Sequence, residues 1–214
     1  MRRKEINMTS EKMRDNPLFM RNGYDVAGRW EIPVVRKQMV DFENIKLIPC
    51  SETRPNDRED KKNCGVHFFV DDYRFNAIYN NPEKSLAKFS QYRFLLTPDF
   101  STYADMNYWR QLESVAHSRW VGAYWQSRGL IVIPTVTWST PFSYSFCFDG
   151  IERGAIVAIG LPGCKREKTA YLRGYAHLLE RIEPSAVLCL GKPFKEMDGN
   201  IIVADYYYKG KAVC

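Results

Sequence analysis

Four aspartates in this chain stand where carboxylates can do chemistry. Asp71 and Asp72 close the apolar run Val66–Val70, Asp99 follows the run Phe94–Leu96, and Asp149 follows Phe146–Phe148 in FCFDG. Carboxylates carried to neighbouring parallel strand tips lie about 5 Å apart in the pairing direction. Such a pair either holds Mg²⁺ together with several waters or divides its proton affinities, one carboxyl serving as acid and one as base. Asp72 and Asp99 are the candidates for both roles, metal-binding or acid–base, with Asp149 as the third catalytic candidate. The same residues also have an ordinary use. Asp71 or Asp72 can cap a helix over 73–80, and Asp105 one over 108–128.

Two further sets can bind a substrate. Trp138 ends the run LIVIPTVTW and is followed by Ser143, Tyr144 and Ser145. A Trp at a strand tip is either a stacking platform for a base or sugar or a lid over the core. Trp138 and Tyr144 are the binding candidates here. The stretch GLPGCKREKT (160–169) offers backbone N–H groups and basic side chains to a phosphate, with Lys165 and Arg166 as candidates and Lys192 of LCLGKP beside them. A plain strand-to-helix turn with solvated charge reads the same way, and neither GxxxxGK[ST] nor GxGxxG is present. GxSxG is absent as well, which argues against a serine hydrolase.

The cysteines and histidines add little. Six cysteines form no CxxC pair, and Cys147 and Cys189 sit inside apolar runs as buried thiols. Cys50, Cys64 and His67 leave a zinc site one ligand short. His67 and His177 read as structural, and His117 faces the sheet edge or solvent.

The elements that must position these residues alternate. Apolar runs at 66–70, 94–96, 130–138, 154–160, 186–191 and 201–208 read as strands. Helical spacing fills 73–89, the segment from Tyr108 to Arg128, and that from Glu167 to Ile182, with Gly129 as a helix stop. The alternation predicts an α/β fold: a largely parallel sheet of about five strands with helices on both faces, a partial or distorted β/α barrel being the alternative. Ligands in such folds sit beyond the carboxyl ends of the strands, where the aspartates fall. The charged loop 51–63 divides an N-terminal arm and irregular segment, 1–63, from an α/β domain, 64–214. Within the former, Ile45–Ile48 before Pro49 reads as an edge strand.

The net charge of +6 permits an anionic partner without demanding one. No apolar run reaches the ~20 residues of a membrane span, and the N-terminus lacks the apolar core of a secretory signal, so a cytoplasmic location is expected. Oligomeric state is not encoded in this pattern.

Several stretches carry a resemblance: GVHFFVDDYRF, TPDFSTYADM, SRWVGAYWQSRG, IPTVTW, FCFDG and LCLGKP, in this order. Over about residues 24 to 205 the chain resembles the DUF 4417 family, a domain of unknown function from bacteria, their phages and mobile elements. The resemblance implies an association with mobile elements and brings no activity, substrate or catalytic residues. The expectation from the chemistry is an enzyme acting on nucleic acid or nucleotide by phosphodiester or N-glycosidic hydrolysis. The alternative is a non-catalytic DNA- or protein-binding module used in replication, transfer or counter-defence.

Overall fold

The computed structural model describes residues 9–56, 63–204, 207–208 and 211–212. Two short helices, α1 (Ser10–Arg14) and α2 (Pro17–Met20), lead to an antiparallel hairpin of β1 (Val26–Ala27) and β2 (Ile32–Pro33). Four strands then line up in chain order and all parallel: β3 (Lys46–Pro49), β4 (Cys64–His67), β5 (Phe94–Leu96) and β6 (Val132–Ile133). A second parallel sheet follows, again in chain order, from β7 (Ile156–Gly160), β8 (Ala186–Leu190) and β9 (Ile201–Ala204). One parallel bridge, Thr135 to Ala158, joins the two sheets. A small hairpin of β10 (Tyr207–Tyr208) and β11 (Lys211–Ala212) completes the strands, β10 lying beside β3.

The α/β class and the parallel pairing are as the alternation predicts, with more and shorter strands than the apolar runs suggest. The run 130–138 contributes only two strand residues because Pro134 has no N–H for the ladder. Its carbonyl still accepts from Ala158 N (2.9 Å), and the Ala158 carbonyl accepts from Val136 N (2.8 Å), leaving a single bridge in place of a longer ladder. The helical pattern over 73–89 is likewise cut. It holds α3 (Ala77–Asn80) and α4 (Leu86–Phe89), flanked by 3₁₀ turns at Asp72–Arg74 and Pro82–Ser85. Pro82 restricts Asn81 to extended backbone, and the Asn81 side chain caps the new turn at Lys84 N.

The long helices appear as expected. α5 (Tyr108–Ser127) ends before Gly129, whose φ of 82° supplies the left-handed stop. α6 (Lys168–Ile182) buries Tyr175, Leu178 and Ile182 against Val157, Ile159, Val187 and Cys189 of the second sheet. α5 turns Trp120, Val121 and Trp125 onto Val66, Leu95 and Val132 of the first.

The opposite faces of both sheets form a third cluster, from Leu47 of β3 through Phe94, Leu96, Ile133, Ile156, Ala158 and Leu188 to Ala204 of β9. That cluster contains no helical residue, so the helices lie to one side of a curled sheet rather than on both. Right-handed crossovers between strands laid down in sequential order have this outcome. No closed barrel forms among the described residues, since no ladder joins β3 to β9.

The boundary expected at 63/64 falls inside the sheet. β3 pairs with β4 through four residue pairs, at the edge of its sheet as its sequence suggests. Val35, fully buried, bridges to Ile151. The segment before residue 64 therefore supplies an edge strand and a clasp to the same body. Its two-residue strands are too short to show any periodicity.

Candidate active site

A cavity of about 500 Å³ opens at the carboxyl ends of β4 to β7. Its walls come from the loops after four successive strands: Phe69 to Arg74, Asp99 to Tyr103, Val136 to Trp138, and Gly160 to Cys164, with Tyr171 from the first turn of α6. Asp72, Asp99 and Trp138 all line it, so three of the expected site residues converge.

Asp72 does not cap a helix. Its Oδ2 accepts from Ser101 N (3.1 Å) and its Oδ1 from the Ser101 hydroxyl (2.9 Å), tying the loop after β4 to the loop after β5. Asp71 occupies the start of the 3₁₀ turn without a side-chain cap, and α5 is preceded by Asn107, not Asp105. The capping alternative therefore does not describe these aspartates.

Asp99 lies deeper. Its Oδ1 is shut away from solvent and accepts no hydrogen bond, so the carboxylate form has little to sustain it. Burial first, and then the charge of Asp72, push its carboxyl up to about 8, against the pull of the buried Arg119 guanidinium. At neutral pH Asp99 is mostly a neutral acid beside a second carboxyl group.

Arg119 is held by carbonyls. Nε donates to Asp149 O (3.2 Å), Nη1 to Thr135 O (2.8 Å) and Nη2 to Cys147 O (3.0 Å). Thr97 and Thr135 interlock beside it through two hydrogen bonds of 2.9 Å. This polar knot lies in the strand Asp99 follows, at the junction of the two sheets. It fixes the floor under Asp99.

Trp138 forms part of the wall and packs at the same time. It is half-buried, 4.8 Å from Tyr171 between ring centres and tilted to it by 42°. Its indole fills the space over Gly174 of α6, where a Cβ would collide with the ring. Tyr171, half-buried and donating to Gly160 O (3.3 Å), has its phenol pushed well above the usual range, chiefly by the burial of its hydroxyl end. Together these rings give the cavity an aromatic part of its wall.

The remaining expected site residues are elsewhere. Asp149 is buried outside the cavity, its Oδ1 accepting from Arg181 (3.2 Å) and its carboxylate pressed against Gly28 of the N-terminal hairpin. Arg181 is ten residues beyond Tyr171 on α6, about 15 Å along the helix. Asp149 locks the fold, and its expected catalytic place is corrected on that ground. Tyr144 packs beside His177 (4.8 Å) and Phe148 (6.0 Å) outside the cavity. Arg166 and Lys192 are exposed and do not line it; the side chain of Lys165 lies outside the described residues.

Sequence reasoning missed Ser101, Arg74, Tyr103 and Tyr171. Arg74 follows the DD pair by two residues in DDYR, which was a usable signal. Tyr171 has none, as its place depends on where α6 begins.

The donors do not fit a resident Mg²⁺ well. Both Asp72 oxygens are engaged by Ser101 and one Asp99 oxygen is sealed off. Among the described residues no group of three or more His, Cys, Asp or Glu converges on a cation. Cys147 and Cys189 are buried thiols as expected, and Cys50 and Cys64 are buried as well. His67 is a buried neutral imidazole, pushed down to about 3, whose Nδ1 accepts from Phe69 N (3.2 Å). His117 stacks on Tyr79 at 3.5 Å.

Residues 24–207 match a domain of unknown function, DUF4417, and the whole cavity lies within that span. The chain belongs to the DUF4417 family. Two DUF4417 relatives come from mycobacterial viruses. The Gene 1 protein of Mycobacterium phage L5 is 39% identical over 178 residues, covering 82% of this chain and 77% of that protein. The Gene 1 protein of Mycobacterium phage D29 is 37% identical over 180 residues, covering 82% of this chain and 65% of that protein. No solved structure matches this DUF4417 chain. None of its described helices is long and apolar enough to cross a membrane.

Proposed function

We propose that this DUF4417 protein is a hydrolase of the N-glycosidic bond between nucleobase and sugar, working in the cytoplasm of an infected or element-bearing cell. The observation that carries the reading is the convergence, in one aromatic-walled cavity, of Asp72 with a deeply placed Asp99 whose Oδ1 has no partner. A neutral carboxylic acid at pH 7 is suited to protonating a leaving group. Glycoside cleavage needs such an acid together with a second carboxylate.

In the proposed step the C1′–N bond breaks and the base nitrogen takes the Asp99 proton. Water oxygen bonds to C1′, its proton passing to Asp72. Proton exchange with solvent then restores both carboxyl groups. Ser101 holds Asp72 in place, and the Trp138–Tyr171 side supports the base. Phosphodiester hydrolysis is less favoured, because phosphate chemistry leans on cations and the described lining carries three carboxyl groups against one basic side chain, Arg74.

The test is base release from nucleosides, nucleotides and single-stranded DNA. Asp99→Asn and Asp72→Asn are each expected to lower turnover at least ~100-fold, the range of a positioned acid or base, with the fold intact by circular dichroism. Salt-sensitive DNA binding without base release from any substrate sinks the enzyme reading and leaves the binding module.

A further inference from the structure

Resting on that reading, the charge and hydrogen-bonding character of the cavity narrow what can enter it. Three carboxyl groups line the walls, Asp71, Asp72 and Asp99. Among the described side chains, Arg74 is the one basic group there, and it already faces Asp71 at 3.9 Å. Of the cations expected to hold phosphate, Lys165 has a side chain outside the described residues. Arg166 and Lys192 do not line the cavity, and Lys168 is paired with Glu196 at 2.7 Å.

Ionised carboxylates only accept hydrogen bonds. Asp71 and Asp72 so suit ribose hydroxyls, which donate, and repel phosphate oxygens, which carry like charge; the neutral Asp99 adds no such repulsion. Trp138, Tyr171, Phe69 and Val136 give the same cavity an apolar and aromatic part of its wall, suited to a nucleobase. The volume of about 500 Å³ lies within the usual range for a small-molecule site.

We infer that the cavity takes an uncharged nucleoside, sugar toward the Asp72–Asp99 pair and base toward Trp138 and Tyr171, and excludes the nucleoside when it carries a phosphate. The substrate class is then the free nucleoside rather than the nucleotide or the polymer.

Equilibrium dialysis and turnover of the four common ribonucleosides, each against its own 5′-monophosphate, test this on the full chain. At low salt at least one nucleoside is expected to bind about tenfold or more tightly than its monophosphate, as like-charge repulsion at short range requires. The gap should shrink as salt rises and in Asp71→Asn, which removes a rim charge. Equal or tighter binding of the monophosphates overturns the inference, as does binding of none of the four. A gap narrowed by neither salt nor Asp71→Asn overturns it too. Nucleoside binding without turnover defeats the hydrolase reading and spares the inference. Base release that favours monophosphates does the reverse.

Discussion

At the level of single residues, Asp99 ties stability and activity to pH in the same direction. An unfolded aspartate releases its proton near pH ~4, whereas in the folded chain Asp99 holds it up to about 8, because of burial and the neighbouring Asp72. Between these values the folded state binds the extra proton, so stability falls as pH rises. The contribution is complete below ~4 and gone above about 8. Asp99→Asn keeps the shape and abolishes the ionisation. Thermal unfolding from pH 5 to 9 should find the variant close to the parent at the acid end. At the alkaline end it should be more stable, by on the order of a few kcal/mol. Turnover in the parent should drop through the same alkaline range as the acid is lost. A parent whose stability is flat from pH 5 to 9 would remove the neutral Asp99.

Single elements set how the wall is built, and α6 is the clearest case. Gly174 is in the interior of that helix, where alanine ordinarily gains about 0.5–1 kcal/mol. Here the added Cβ would meet the Trp138 indole, which Phe148 and Tyr171 already confine. Overpacking of that kind costs about 1–3 kcal/mol and outweighs the helix gain. Gly174→Ala should lower the melting temperature and reduce kcat/KM as Trp138 is driven toward the cavity. A stabilised, fully active variant would show that the ring yields freely. What could be read from sequence at this scale was uneven. Runs of β-branched residues and the 3.6-residue spacing located β5, β7, β8, α5 and α6 closely. Pro134 and Pro82 cut two elements that periodicity alone joined, since a missing N–H is a local event that a hydrophobic pattern does not register. That Asp72 and Asp99 meet depends on β4 and β5 being neighbours, and strand order is not written in the spacing of either.

For the whole molecule, residues 26–35 of the N-terminal segment act as a clasp, while residues 1–8 of the expected arm lie outside the described residues. Val35 N donates to Gly150 O (2.9 Å), and Asp149 sits between Gly28 and Arg181. The carboxylate that looked catalytic in FCFDG is thus spent on fastening the hairpin to the sheet, a role legible only once residues more than a hundred positions apart are in contact. Asp149→Ala should cost about 1–3 kcal/mol by leaving a void and an unpartnered guanidinium, with kcat unchanged. Lost turnover at undiminished stability would restore Asp149 to the reaction.

The lone bridge between Thr135 and Ala158 has a mechanical consequence. Each sheet is cross-braced by several ladder bonds, but between them the backbone has one stitch, backed by the side-chain knot around Arg119 and the apolar cluster from Leu47 to Ala204. Loops from both sheets enclose the cavity, so the weakest seam in the protein runs beneath the place where a ligand would sit. Parting the sheets along that line would break the two hydrogen bonds of the bridge and expose the apolar cluster that both sheets share. A ligand gripping both sides would act as a brace across the joint, and the two halves of the chain would then move as one.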